Sequence, residues 1–379
     1  MRPWFINFSR KTFAQNATKY NFIQRILLGL YRTSYSGEDF CRILILSYLS
    51  RGVFETMNVL CIGGANIDRK IQTINHLTFK TSNPAKSTMS CGGVARNIAE
   101  NLGRLGLNSS LLGYIGDDSE GKWLRKTTGE YVDVSLLEAL PGKSTGTYTA
   151  VLDEEGEMAI ALADMAIYDH VEEDFIGKKW PQDRPAIVLL DTNLPAVIIE
   201  LVIQHCRSEN IPICIATVSV AKSEKLPRSL EGITWLVANE KEAEALSNIK
   251  IKTEGDFFKA AVEILNKGVK KVVISRGDKG LIYFTKDGEA GALVAPEVPV
   301  TDVTGAGDSL IAGIIYADLK GLNTEDSCKI GLSCSYLTIR SKETVNPELN
   351  NQNLTDSFQR YFCRGPGQKG FKSTFAFQR

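Results

Sequence analysis

From Asn58 onward the chain alternates short apolar runs with helix-patterned stretches, and this rhythm limits the folds open to it more than any other feature. Strand-like runs fall at 59–62, 110–114, 186–190, 213–217, 235–238 and 271–275; helical spacing appears at 97–105, 196–209, 240–246 and 254–267. Parallel strands need a crossover to return the chain, usually a helix, and when covered on both faces they read as continuous apolar runs. The expected fold is α/β, with a mostly parallel central sheet and helices on both faces. Such sheets bind ligands beyond the carboxyl ends of their strands. Two regions break the rhythm. Residues 68–90 are polar and extended, and 145–164 read as a hairpin, TYTAVL and MAIALA around an acidic turn. A small β-sheet lid over the carboxyl edge of the main sheet accounts for both.

The charge balance narrows the partners. The 379 residues include 44 Lys and Arg against 44 Asp and Glu, a formal net charge of zero. A chain that binds nucleic acid by neutralising phosphates carries a basic excess, so no nucleic-acid partner is expected. The zero is unevenly spread: residues 1–57 carry +5, residues 58–354 carry −9 and residues 355–379 carry +4. This divides the chain into a basic N-terminal leader, an acidic body and a basic C-terminal tail. Residues 1–37 hold six basic side chains and no acidic one, which resembles a mitochondrial transit peptide; a disordered leader is the other reading. The three histidines have no tight spacing, which argues against a His-rich metal centre. Eight cysteines form no CxxC pair, and several sit in apolar runs, as buried thiols do in a reducing, cytoplasmic setting. No apolar run approaches the roughly 20 residues of a membrane span, so no membrane partner is expected.

Two segments carry chemistry. In VTDVTGAGDSLIAGII (300–315) a turn of small residues, Gly305, Ala306 and Gly307, leads into an apolar helix expected to begin near Asp308. Backbone N–H groups converge on an anion there, and the positive end of the helix dipole reinforces them. A carboxylate beside an anion site suits a general base that takes a proton from an attacking hydroxyl; an ordinary helix N-cap is the other role open to Asp308. In CGGVARNIAENLGRLGLNSSLLGYIG (91–116), Gly92 and Gly93 admit a ligand close to the backbone, and Asn97 can both donate and accept hydrogen bonds.

On these two segments the chain resembles the ribokinase/PfkB carbohydrate kinase family. Gly92, Gly93, Ala95, Asn97, Ala99, Gly106 and Gly116 match its first signature, and Asp302, Val303, Gly305, Ala306, Gly307, Asp308, Ala312 and Gly313 match its second. The likeness runs from about residue 58 to 350. It implies a ribokinase-like three-layer sandwich with a β-sheet lid, and transfer of the γ-phosphoryl group of ATP to a primary hydroxyl of a small molecule. Asp308 is then the base, and the N–H groups of 305–307 steady the transferring phosphoryl. ATP and Mg²⁺ are the implied cofactors, with a monovalent cation such as K⁺ as a further one, and dimerisation through the lid is implied as well.

The resemblance also assigns residues. Asn239 and Glu242 match an N-x-x-E motif associated with Mg²⁺ through water, although by its residue type alone Glu242 reads as a solvated helix position. Arg276, Gly277 and Gly280 of SRGDKG, with Thr304, belong beside the nucleotide. Asn66, Asp68, Gly92, Gly93 and Asn97 would hold a vicinal diol, with Thr147 and Asp164 reaching a base. IGGANIDRK (62–70), Arg96 before the motif Asn, DTNLP (191–195) and ETVNPEL (343–349) are most similar to the pseudouridine-kinase branch, with ribose, other nucleosides or a ketohexose as alternatives. One departure stands out: Ala216 and Thr217 precede Val218 and Ser219 where many relatives carry an Asp, while Lys222 remains as a phosphate-facing cation. A non-catalytic ligand-binding regulator on the same fold is the rival from another class. A dinucleotide-binding oxidoreductase is disfavoured because IGGAN lacks a GxGxxG pattern.

Overall fold

The computed structural model describes residues 57–295 and 298–363, so the expected basic leader lies outside the described residues up to position 56, as does the tail beyond 363. In chain order the elements are β1 (Asn58–Ile62), β2 (Asn66–Thr73), β3 (Ala85–Gly92), α1 (Val94–Arg104), β4 (Asn108–Gly116), α2 (Ser119–Thr128), β5 (Leu137–Leu140), β6 (Thr147–Leu152), β7 (Met158–Asp164) and α3 (Phe175–Lys179). They continue with β8 (Ile187–Asp191), α4 (Ala196–Ser208), β9 (Ile213–Ala216), α5 (Val220–Ser223), β10 (Trp235–Asn239), α6 (Glu240–Ser247), α7 (Glu254–Asn266), β11 (Lys271–Ser275), β12 (Leu281–Thr285) and β13 (Ala290–Leu293). Three helices complete the body: α8 (Ala306–Leu319), α9 (Thr324–Thr338) and α10 (Asn351–Phe362).

Nine strands form the main sheet in the order β13-β12-β11-β10-β9-β8-β1-β4-β5. All neighbours from β11 to β5 pair in parallel, while β12 and β13 extend the other edge antiparallel. The α/β expectation and its mostly parallel sheet are therefore what the chain forms. The central strands are buried along nearly their whole length, as their unbroken apolar runs require. Helix α4 buries Ile198, Ile199, Val202, Ile203 and Cys206, each of the larger side chains contributing about 1.5–3 kcal/mol. Among the described residues no helix is long and apolar enough to cross a membrane.

Helix α8 is buried continuously from Ser309 to Ala317, packed between α1 and α9. Helix α10 runs through position 355, where the charge distribution places the start of the tail, and it buries Leu354 and Phe358.

The second sheet has four strands in the order β3-β2-β6-β7. Its strands come from the two segments expected to form the lid. Asp68 pairs with Ser90 and Tyr148, and Tyr148 with Ala163, so these four share one face. Thr147 pairs with Ile67 and Asp164 in the adjoining row, which places Thr147 and Asp164 on the opposite face from Asp68.

Candidate active site

The parallel strands end together at one edge of the sheet. β1 ends before Gly63 and Gly64, β8 ends at Asp191, and β10 at Asn239. Above them the turn before α8 comes in from a distant part of the sequence.

Gly305 is the N-cap of α8 and has φ 79°, in the left-handed region. An added Cβ there would overlap the carbonyl oxygen of Thr344, so both backbone conformation and packing require glycine. Ala306 N–H donates to Val303 O at 3.2 Å, whereas among the described residues the N–H groups of Gly307 and Asp308 have no acceptor. These are the donors an incoming anion would meet. Asp308 is the third residue of α8 and caps nothing, so the N-cap alternative falls to Gly305 instead. Its Oδ2 accepts from Asn97 Nδ2 at 2.7 Å. Burial pushes the Asp308 carboxyl up to about 7; Asn97 and Arg96 oppose the rise, and the negative charges of Asp191 and Asp68 add to it.

Asn97 is more committed than the diol-binding role anticipates. Its Oδ1 accepts from Arg96 while its amide nitrogen faces Asp308, which leaves a single N–H for a ligand. Asp68 accepts from Asn66 Nδ2 at 2.7 Å, and burial raises its pKa against the pull of Asn66, Arg96 and Lys70. A Cβ on Gly92 would overlap the Asp68 carboxylate. The overlap is with the end of a flexible side chain, so Gly92→Ala is expected to fold normally and to raise KM for the acceptor about tenfold or more by turning Asp68 aside. Steady-state kinetics with the acceptor varied measures this.

Two further groups belong to the site. Asp191, fully buried, accepts from Gly64 N at 2.8 Å, Ala95 N at 2.9 Å and Asn193 N and Nδ2 at 2.9 Å. Burial raises its pKa, and these four donors offset that. It ties the glycine turn after β1 to the start of α1. Across the cleft, Lys70 of the lid pairs with Asp302 beside the anion turn. Asp302 Oδ1 also accepts from Thr304 N at 2.8 Å and Thr304 Oγ1 at 2.6 Å, so Thr304 shapes the turn through Asp302.

On the nucleotide side, Asn239 caps α6 by accepting from Glu242 N at 3.0 Å, and Glu242 Oε2 accepts from Asn239 N at 2.9 Å and Thr217 Oγ1 at 2.5 Å. Glu242 is 5% exposed, which overturns the reading as a solvated helix position. Thr217 thus anchors Glu242 at the position where the family resemblance leads one to expect an Asp. The next residue, Val218, has φ 57°, a conformation costing a β-branched side chain about 1–3 kcal/mol. Lys222 Nζ donates to Asn193 Oδ1 at 2.5 Å, and burial lowers its pKa. Arg276 pairs with Glu254 at 3.0 Å and lies over Phe257, turned toward α7. Gly277 and Gly280 have φ 61° and 87° and form the turn between β11 and β12. Among the described residues no group of three or more His, Cys, Asp or Glu could hold a metal ion unaided. Glu242 Oε1 is the carboxylate oxygen left over, which suits an ion bound mainly by phosphate oxygens and water.

A family model for the pfkB family carbohydrate kinase matches residues 56–351. The chain is 32% identical over 309 residues to the pseudouridine kinase of Escherichia coli K12, covering 80% of this chain and 97% of that one. It is similar to a solved carbohydrate kinase from Agrobacterium tumefaciens, with a TM-score of 0.67 and 26% identity over 80% of this chain and 97% of that chain. Its fold is also that of the Arabidopsis thaliana ribokinase solved with ribose and ATP, with a TM-score of 0.72 and 20% identity over 81% and 99% of the two chains. A site assembled from both signature segments, inside a match that spans nearly all of the described fold, leaves one conclusion: the chain belongs to the pfkB family of carbohydrate kinases and is a phosphotransferase acting on an alcohol group.

Proposed function

We propose that the protein transfers the γ-phosphoryl group of ATP to the 5′-hydroxyl of pseudouridine, giving pseudouridine 5′-phosphate and ADP. The observation that carries the reaction is Asp308, a carboxylate with a pKa near neutrality beside the two unpaired N–H groups that open α8. The likeness to the E. coli enzyme over most of both chains supports the acceptor.

In this reading Asp308 takes the hydroxyl proton as the oxygen attacks, and the N–H groups of the turn steady the charge spread over the transferring phosphoryl. Asp68 accepts hydrogen bonds from the ribosyl diol, and Gly92 and Gly93 let the sugar approach the backbone. Tyr148, on the Asp68 face of the lid, is placed to meet the base; Thr147 and Asp164 lie on the other face. Asn239, Thr304 and the 277–280 turn border the nucleotide. Mg²⁺, held by phosphate oxygens and by Glu242 through water, would neutralise charge on the triphosphate.

A base with this pKa gives an acid limb in the pH profile. Below about 7, kcat is expected to fall as Asp308 becomes protonated, approaching tenfold per pH unit. The outward residues Met89, Ile160 and Leu162 of the lid, each 49–57% exposed, support a dimer through that sheet. Cys61, Cys91, Cys206, Cys214, Cys328 and Cys334 are buried free thiols, which supports a reducing, cytoplasmic setting.

The test of the acceptor is a comparison of kcat/KM for pseudouridine, uridine, inosine, ribose and fructose at saturating ATP and Mg²⁺. Pseudouridine is expected to rank first; a higher value for ribose or fructose removes it as the acceptor.

A further inference from the structure

The amide of Asn97 could present either its oxygen or its nitrogen to Asp308, and the neighbours decide which. Arg96 makes that decision. A guanidinium only donates and stays charged. Arg96 is 1% exposed, with Nε donating to Gly92 O at 2.8 Å, Nη1 to Glu100 Oε2 at 2.5 Å and Nη2 to Asn97 Oδ1. With its oxygen held, Asn97 can turn only Nδ2 toward Asp308. Glu100 is held in turn by Arg104 Nη2 at 2.8 Å, and Arg104 lies 3.9 Å from the Tyr131 ring centroid and donates to Pro347 O at 2.9 Å. Each link in this ladder is therefore anchored on the far side from the reaction.

We propose that Arg96 is a positioning residue for phosphoryl transfer: by holding Asn97 Oδ1 and Gly92 O together, it directs the Asn97 amide onto Asp308 Oδ2 and leaves Oδ1 to receive the proton. The proposal rests on Asp308 being the base. In that step the acceptor O–H bond breaks with its proton passing to Oδ1. The acceptor oxygen bonds to the γ-phosphorus, and the bond from that phosphorus to the bridging oxygen breaks to release ADP. A buried ion-pair ladder is a poor device for stability alone, because apolar side chains of similar volume serve about as well. What they cannot supply is a fixed amide orientation and a positive charge near the base.

The charged groups acting on Asp308 are Arg96 from α1, Asp68 from β2 and Asp191 from β8, while Lys70 of β2 acts on Asp68 and pairs with Asp302. Glu100 and Arg104 stand behind Arg96 on α1. On α9, Glu325, Asp326 and Lys329 pair among themselves and Glu325 accepts from Tyr283. Arg96 is thus the cation that the base shares with Asp68.

The experiment compares Arg96→Met and Arg96→Lys with the parent, reading kcat, both KM values, the pH profile of kcat and Tm. Arg96→Met is expected to lower kcat about 10- to 100-fold through misplacement of the base. Its acid limb should move up by about one pH unit, because losing a cation disfavours the ionised carboxylate. Arg96→Lys keeps the charge without the fork, so kcat should fall while the limb stays near the parent's. In an Asn97→Ala background, Arg96→Met should cost little further kcat, since its effect passes through the amide. A lowered Tm with an unmoved limb, or full additivity with Asn97→Ala, overturns the proposal, and if Arg96→Met does not fold, Arg96→Lys and its cycle with Asn97→Ala decide it. Asp308→Asn run alongside separates the two readings. If that variant stays active, the base assignment fails; if it is inactive while the Arg96 variants behave additively, only the role of Arg96 fails.

Discussion

Asp308→Asn is expected to lower kcat by about 10³- to 10⁴-fold while KM for the acceptor changes little. The substitution keeps the side-chain shape and a hydrogen-bonding atom toward Asn97, and removes only the capacity to take a proton. A second consequence concerns stability. The carboxyl has its ordinary value of 3.8 in the unfolded chain and about 7 when folded, so the folded state binds the proton more tightly. Its contribution to stability is present in full below about pH 4 and is lost as pH rises through 7. An Asn at this position has no charge to bury. At pH 8 the variant should therefore be more stable than the parent, by about 1–2 kcal/mol once solvent screening of the half-open site is allowed for. The difference should vanish toward pH 4. Loss of activity with a gain of stability, measured by kinetics and by denaturant unfolding at both pH values, is the signature of a group placed for chemistry.

Gly305→Ala has the other large effect. An Ala at φ 79° is strained, and its Cβ would overlap the Thr344 carbonyl oxygen, a backbone atom that cannot rotate away. The turn must open or the segment around Thr344 must shift. Destabilisation of roughly 3–5 kcal/mol is expected, with kcat reduced about 10²- to 10³-fold as the N–H groups lose their aim. Gly307→Ala is the internal comparison. A Cβ there meets nothing within 4 Å, so its stability should stay within about 0.5 kcal/mol of the parent. Equal destabilisation by the two substitutions would show that the turn is not built on Gly305.

The parts of this molecule legible in sequence were those with local signals. Strands β1, β8, β9, β10 and β11 are continuous apolar runs, and the glycine turns and Asp308 sit in contiguous segments. Helix α9, by contrast, reads TEDSCKIGLSCSYLT, where small and polar residues are buried against neighbours and blur the helical stripe. Antiparallel β12 and β13 alternate with polar turns and lie outside the strand-helix rhythm.

Within the site, the missed features are long-range. DTNLP showed an acidic residue at the end of a strand, but not that Asp191 receives donors from the glycine turn after β1 and from the start of α1, 127 and 96 residues away. The face of Thr147 depends on which residue of β2 lies opposite it, and one step of register reverses it. Glu242 looked solvated because nothing adjacent shows that Thr217 reaches its carboxylate. Arg96 was visible as the residue before the motif Asn and one of the features resembling the pseudouridine-kinase branch, and its direction into the buried side of α1 required the fold.

The most direct test of the account follows the phosphoryl group itself. The protein is incubated with γ-³²P-labelled ATP, Mg²⁺ and pseudouridine, and the labelled product is identified by chromatography and mass spectrometry. The expected result is label on the 5′-oxygen of pseudouridine, formed with one ADP per product and absent with Asp308→Asn. Label appearing only as inorganic phosphate, or no turnover of ATP with the acceptor present, would contradict the account.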